Sequence, residues 1–396
     1  NIDPRFSTRS LRTSSRLTPL GGRHYVAIDA NNRRIGVTGS LTLNGVCFIR
    51  LKQLVAVDLI NGNEIWVRDG VEPGSHIYSN ESRVVLVPPN SDGVIQVFDA
   101  IDGTLIEQRP RPANETPWHQ LGTASIDYQL EGEHLHLLKR DQLTGEQAWK
   151  LTVPVGTRGQ LVQRDELMLL QQDGTLQLVD LRTGVSRWTS RCEAVPQLTS
   201  IHVTRSQDRY QIITNRSENS SGISIPSIGM QAQLVFGKIY SVDADTGKQR
   251  WQAPATVEGW ALPLYQPADS PVLVFLRQLN PRVAPNGARG SIRSEFFCLD
   301  SRDGRLLMAP RSVSGYIRSF DVICSPRQQT ATVIVNGEAH IFRLTDEDLP
   351  PAAPVQMTLT SAISAAAIPI AGKAAQGNGI QAKQAIIRPL GRPVPL

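Results

Sequence analysis

Few side chains in this sequence stand at spacings that could do chemistry. His134 and His136 lie two apart in Glu133-His-Leu-His-Leu-Leu. Residues two apart on a strand share a face, so the pair could open a metal site. Metal sites need three or more ligands. With no third ligand nearby, a polar strand face accounts for the pair better. Asp243-Ala-Asp245-Thr-Gly247 begins like a calcium loop but lacks the later acidic ligands and the closing Glu. No Cys-x-x-Cys, Gly-x-x-x-x-Gly-Lys, Gly-x-Ser-x-Gly or His-Glu-x-x-His occurs. The reading therefore names no catalytic residue, no cofactor and no metal ligand. One cationic stretch stands out, roughly residues 277–293, with Arg277, Arg282, Arg289 and Arg293 and no acid before Arg293. It is the candidate partner-binding loop, suited to an acidic peptide or a phosphate-bearing ligand; a solvated loop tip explains it equally.

The elements that would position such groups follow from a repeat. An apolar stretch ends in Asp, and Thr, Asn or Asp then precedes Gly, with Trp four residues on. The pattern occurs at Asp58–Gly62–Trp66, Asp141–Gly145–Trp149, Asp180–Gly184–Trp188 and Asp243–Gly247–Trp251. Asp99–Gly103 and Asp300–Gly304 keep the turn, with Glu107 and Met308 in the Trp position, and Asp29–Asn32–Arg33 is degenerate. Of six Trp in the chain, four occupy this one register, so the pattern is not accidental. Asp-x-x-Thr-Gly is turn chemistry: the carboxylate accepts backbone N–H groups and Gly tolerates positive φ. A β-rich run precedes each Asp and a second strand follows each Gly, so each copy is a hairpin. Successive glycines are 41, 42, 39, 63 and 57 residues apart. A period near 40 with two further strands' worth of sequence is one four-stranded propeller blade. The two long gaps carry insertions, expected at about 205–233 and 277–293, where blade insertions often bind partners.

These readings predict an all-β chain, a β-propeller of four-stranded antiparallel blades, seven in number, with eight or six as alternatives. The hairpin Thr332–Leu344 around Asn336-Gly337 would pair with the strand at Tyr25–Asp29 to close the ring, or form a blade of its own. Residues 1–23 read as a basic flexible segment, 24–345 as the propeller, and 346–396 as a Pro/Ala-rich disordered tail or linker. The start at Asn1, without Met, reads as a fragment of a longer chain.

Composition sets the limits. The chain has 396 residues, a net charge of +5, 31 Gly and 26 Pro, an ordinary globular balance rich in turns. The charge sits at the ends: residues 1–35 carry +5 and residues from 351 onward +4, leaving the body acidic. Nucleic-acid binders concentrate charge on a folded face, so no nucleic-acid partner is expected. No run approaches the roughly 18 apolar residues of a membrane span. Cys47, Cys192, Cys298 and Cys324 are too scattered for a disulfide framework. Cys298 and Cys324 pair if their strands adjoin; otherwise they are buried thiols.

The Asp-x-x-Thr-Gly-x-x-x-Trp signature resembles the repeats of the pyrroloquinoline-quinone-like propeller family. Its non-catalytic branch includes the propeller lipoprotein of outer-membrane β-barrel assembly. The resemblance spans roughly residues 24–345. It implies that Trp66, Trp149, Trp188 and Trp251 dock against glycine turns of adjacent blades, with Gly62, Gly103, Gly145, Gly184, Gly247 and Gly304 as the flat turn positions. It further implies a non-enzymatic scaffold that binds protein or peptide partners, in a periplasmic or other extracytoplasmic compartment. It could be one module of a larger bacterial protein. Two alternatives stand beside this reading. A quinone-dependent oxidoreductase would need calcium ligands, a catalytic Asp and often paired Cys, none of which is recognisable here. A carbohydrate or small-ligand binding module would place its ligand on the inserted loops.

Overall fold

A computed structural model describes residues 16–21, 24–28, 39–42, 44–58, 60–90, 92–112, 115–163, 165–216, 223–224, 232–279, 292–325, 330–343 and 353–358. Every regular element among them is a β-strand. The chain divides into two units, residues 1–155 with 373–396, and residues 156–372.

The first unit carries three sheets. Sheet one runs in chain order through β1 (Arg16–Gly21), β2 (His24–Ile28), β3 (Gly39–Leu41), β4 (Gly45–Arg50), β5 (Gln53–Asp58) and β6 (Glu64–Asp69). Sheet two holds β7 (His76–Ser79), β8 (Arg83–Val87), β9 (Val94–Asp99) and β10 (Leu105–Pro110). Sheet three holds β11 (Thr116–Leu121), β12 (Ala124–Glu131), β13 (His134–Asp141) and β14 (Gln147–Pro154). Sheets two and three are four-stranded antiparallel blades of propeller type, as the repeat period predicts. Residues 16–21, expected in a flexible segment, instead pair with β2. Tyr25 lies opposite Pro19 on one edge of β2 and Gly39 on the other.

The second unit opens with sheet four, another four-stranded blade: β15 (Arg158–Gln163), β16 (Glu166–Leu170), β17 (Thr175–Asp180) and β18 (Ser186–Arg191). Sheet five is compound. It contains β19 (Leu198–Arg205), β20 (Arg209–Arg216), β21 (Ile223–Ser224), β22 (Ala232–Asp243), β23 (Ala255–Pro263), β24 (Val272–Leu279), β25 (Arg293–Asp300) and β26 (Leu306–Ser314). Sheet six, β27 (Phe320–Ser325), β28 (Thr330–Val335) and β29 (Glu338–Arg343), has three strands. A final short strand, β30 (Gln356–Met357), adds parallel to β23 in sheet five.

Two blade-like halves fuse in sheet five because β22 is twelve residues long. Its C-terminal end pairs with β20, from Ile239↔Ile213 to Asp243↔Arg209. Its N-terminal end pairs with β23, from Ala232↔Pro263 to Ile239↔Ala255. At the change-over a Cβ on Gly237 would meet the Thr214 carbonyl oxygen at 2.0 Å. The Thr214 hydroxyl donates to the Lys238 carbonyl and accepts the Lys238 N–H, at 3.1 and 3.0 Å. The first expected insertion is thereby corrected. Residues 209–216 are a strand, whose polar flanks hid the buried Tyr210, Ile212 and Ile213.

The cores lie between sheets. Met168, Leu178 and Trp188 of sheet four pack with Tyr210, Tyr240 and Val242 of sheet five. Cys47, Leu54 and Trp66 of sheet one pack with Val84, Leu86 and Phe98 of sheet two. All four cysteines are free. Burial pushes the Cys47, Cys192 and Cys298 thiols up to about 12, so these thiols are small hydrophobes rather than nucleophiles.

Candidate functional site

Six turns carry the repeat, and in each the Asp side chain serves its own backbone. Its Oδ1 accepts the N–H two residues on: Ile60 at 2.6 Å, Ile101 at 2.7, Leu143, Arg182 and Arg302 at 2.8, and Asp245 at 3.2. The glycine N–H donates to the same Asp carbonyl in all six, between 2.8 and 3.0 Å. Glycine is required because φ is positive, from +69° at Gly103 to +81° at Gly145. Asp243 is therefore a turn former, one of six equivalent copies. His136 is likewise occupied: its ring nitrogens lie 2.9 Å from Thr152 Oγ1 and 2.9 Å from Glu131 Oε2.

An indole covers three of these glycines: Trp66 on β6 and Trp188 on β18 reach turns of the next sheet, while Trp251, between β22 and β23, reaches a turn of its own sheet five. A Cβ on Gly103 would meet the Trp66 ring at 2.6 Å. On Gly247 it would meet Trp188 at 2.4 Å, and on Gly304 Trp251 at 2.7 Å. Each indole N–H donates to the carbonyl of the residue after the Asp: Trp66 to Ala100 at 3.1 Å, Trp188 to Ala244 at 2.9 Å, Trp251 to Ser301 at 3.1 Å. Trp149 is buried and Gly184 sits at φ +72°; Gly62 shares that backbone form.

Where the Trp is lost, a residue absent from the sequence reading takes its place. Glu107 occupies the Trp position after Gly103. Arg109, two residues on and on the same strand face, lays its guanidinium over Gly145, where a Cβ would meet Cζ at 3.0 Å. It donates to the Gln142 carbonyl, the atom that matches the indole acceptors, and to Leu143 at 3.5 Å. The signal was present in the intact copy. Arg68 follows Trp66 at the same offset and donates to the Gly103 and Asp102 carbonyls at 2.6 and 3.0 Å.

Of the candidate arginine loop, the structure places Arg277 inside a strand. Arg277 is only 3% exposed, inside β24. It donates to Glu295 Oε2 through Nε at 2.9 Å and Nη2 at 2.5 Å, and its Cζ lies 4.0 Å from the Trp260 ring centroid. The pairing exists because Arg277 and Glu295 face each other across β24 and β25, a cross-strand contact that sequence spacing does not reveal. Arg277 is thus a core cation, not a loop contact. Arg293 is exposed and bonds Ser312 at 2.9 Å. Arg282 and Arg289 lie outside the described residues.

Two further buried polar groups escaped the sequence reading. Glu166 accepts Arg187 at 2.9 Å, Arg205 at 2.8 Å and the Tyr210 hydroxyl at 2.8 Å, tying sheet four to sheet five. Asp127 accepts the Ser125 hydroxyl at 2.8 Å, which in turn accepts Gln142 Nε2 at 2.7 Å. Burial pushes the Asp127 carboxyl up to about 6, against the Ser125 hydrogen bond that lowers it. Both groups work within or between their own strands. No group of three or more His, Cys, Asp or Glu side chains placed to hold a metal occurs among the described residues.

Large apolar side chains do reach the surface at the turn tips of the first unit. Ile60 is 95% exposed and Ile101 56%, at the same position two after the Asp, and Leu51 is 89% exposed with φ +56°.

Residues 131–257 match the family model described as outer membrane protein assembly factor BamB, a segment that includes the motif copies at Gly145, Gly184 and Gly247. The repeats are of the PQQ-like, BamB-resembling propeller type. The BamB match covers roughly one third of the chain. Among solved structures, BamB from Moraxella catarrhalis aligns over 87% of this chain and 99% of its own, at 14% identity and a TM-score of 0.33. Dihydro-heme d1 dehydrogenase NirN aligns over 84% and 70%, at 14% and 0.37. The WD40 domain of SCAP from fission yeast aligns over 81% and 96%, at 11% and 0.38. At such scores the likenesses assign no activity. No curated protein matches the chain. No helix among the described residues is long and apolar enough to cross a membrane.

Proposed function

We propose that this chain is a non-catalytic propeller scaffold that binds a protein or peptide partner in an extracytoplasmic compartment. The observation that carries the reading is where the repeat spends its polar groups. Asp carboxylates accept their own turn N–H groups, and the Trp66 and Trp188 indole N–H groups bond carbonyls of the next sheet. The residues that recur are consumed by the fold, and a site must come from what does not recur. The exposed turn-tip residues Ile60 and Ile101 are of that kind, since Arg182, Asp245 and Arg302 stand at the equivalent position in three other turns and Leu143, in the remaining one, is buried; Leu51 sits on a turn outside the repeat. Exposed apolar side chains at loop tips suit a protein surface. The printed name of the matching family, an outer membrane assembly factor, supports both the partner class and the compartment.

Photo-crosslinking residues placed at Ile60 and Ile101 test the proposal. The expected result is a discrete adduct with one partner protein, lost on changing Leu51 to Asp. Absence of an adduct, with dye-linked alcohol oxidation after reconstitution with pyrroloquinoline quinone and calcium, would overturn it in favour of an oxidoreductase.

A further inference from the structure

The segment 353–358 belongs to the stretch expected to be a disordered tail, yet it is built into sheet five. Val355 is 7% exposed and joins the cluster of Val257, Trp260, Leu262 and Phe275. Gln356 points outward and Met357 packs partly against the same cluster, the two-residue alternation of a strand with one buried face. The backbone is engaged too: Thr256 lies opposite Gln356 and Val257 opposite Met357, in parallel, and the Thr256 N–H donates to the Val355 carbonyl at 2.9 Å.

The structure also shows why an edge is open there. Gly259, at φ +75°, is the extra residue of a bulge, since Trp260 pairs with Val235 while Glu258 pairs with Phe236. A bulge bends its strand. Beyond it β23 meets β24 only at Ala261↔Leu276. Before it, β23 has left β24, so the edge of Ala255–Glu258 is unfilled by its own blade. An edge with free N–H and C=O groups beside an apolar floor accepts an extended peptide.

We propose that this edge is an acceptor site for an extended peptide with apolar residues two apart, occupied here by the chain's own Pro354–Met357. The contact is small: two register pairs, one buried side chain and one half-buried one. A strand held so lightly stays in place because it is tethered, at an effective concentration on the order of millimolar. A free peptide of the same pattern competes only when the tether's segment is weakened or outnumbered. The tail is thus an exchangeable strap over a peptide site. The site is separate from the turn tips of the first unit, and its test does not use them.

Two measurements on the full chain decide the proposal. The first is amide exchange at adjacent residues of β23. Successive N–H groups of a strand face opposite edges, so Thr256 reports the strap and Val257 the β22 pairing. Thr256 is expected to exchange at least about tenfold faster, through local release of the strap. Equal rates at the two residues would overturn the proposal. The second is binding of a labelled peptide of residues 353–358 to the chain with Val355→Asp and Met357→Asp. It should bind about tenfold or more tighter than to the parent, and a peptide carrying Val355→Asp should not bind. Equal or absent binding by a variant of native circular dichroism would overturn the proposal. If the variant fails to fold, the exchange comparison stands alone.

Discussion

An aspartate that accepts its own turn's N–H and a glycine that leaves room for an indole are the residues on which this fold is built. At this scale the instructive position is the one where the pattern fails. With Glu107 in the Trp position, Arg109 supplies both the planar cover for Gly145 and the bond to the Gln142 carbonyl. A guanidinium is planar and donor-rich, so it substitutes for the indole in shape and in polarity. Arg109→Ala should cost about 1–3 kcal/mol in denaturant unfolding, because it strips a buried carbonyl of its donor. Asp127 gives a prediction in pH. Its carboxyl is 4% exposed and its folded value is raised from 3.8 to about 6. Between those values the unfolded chain has released a proton that the folded chain keeps, so stability falls as pH rises through this window. Asp127→Asn keeps the acceptor for Ser125 and removes the burdened charge. It should gain on the order of 2 kcal/mol at pH 7.5 and little at pH 4, read from urea midpoints at the two pH values.

Strands explain what the sequence could and could not reveal. The hairpins were legible because turn chemistry is local: Asp, Gly and the β-rich runs lie within ten residues of one another. The Asn336-Gly337 turn was legible for the same reason, with φ of +50° and +83° bringing β28 onto β29. Strand β20 was not, since its apolar residues alternate with Gln211 and run into Thr214-Asn215-Arg216, which resembles a polar insertion. Nor was the double pairing of β22, because only tertiary contact decides how long a strand runs. Gly237 marks that crossing. Gly237→Ala would drive a methyl into the Thr214 backbone at 2.0 Å, and neither strand can yield without losing the Lys238–Thr214 bonds. A loss of about 3 kcal/mol or more is expected by thermal or urea unfolding, well above the usual strand cost of a Gly substitution.

In each unit the cores lie between successive sheets, where the recurring Asp and Gly form the turns and recurring indoles seat on some of them. The fold class was readable from the sequence because the seams repeat in register. Arg277 was misread as a loop residue because its partners, Glu295 and Trp260, come from other strands and leave no spacing signal. The tail segment 353–358 was missed because its anchor is one Val and one Met, too little apolar character to stand out in a Pro/Ala-rich stretch. The same logic places the proposed partner surface on non-recurring side chains. The central claim, that indole rings seat on glycine corners to join sheets, is tested most directly by a double-mutant cycle on Trp188 and Gly247. Gly247→Ala in the parent faces both the positive φ and the ring 2.4 Å away, whereas in a Trp188→Ala background only the backbone strain of about 1 kcal/mol is left. The predicted result is a coupling of at least about 1 kcal/mol, with alanine at 247 far better tolerated once the ring is gone. Additivity of the two changes within about 0.5 kcal/mol would contradict the account.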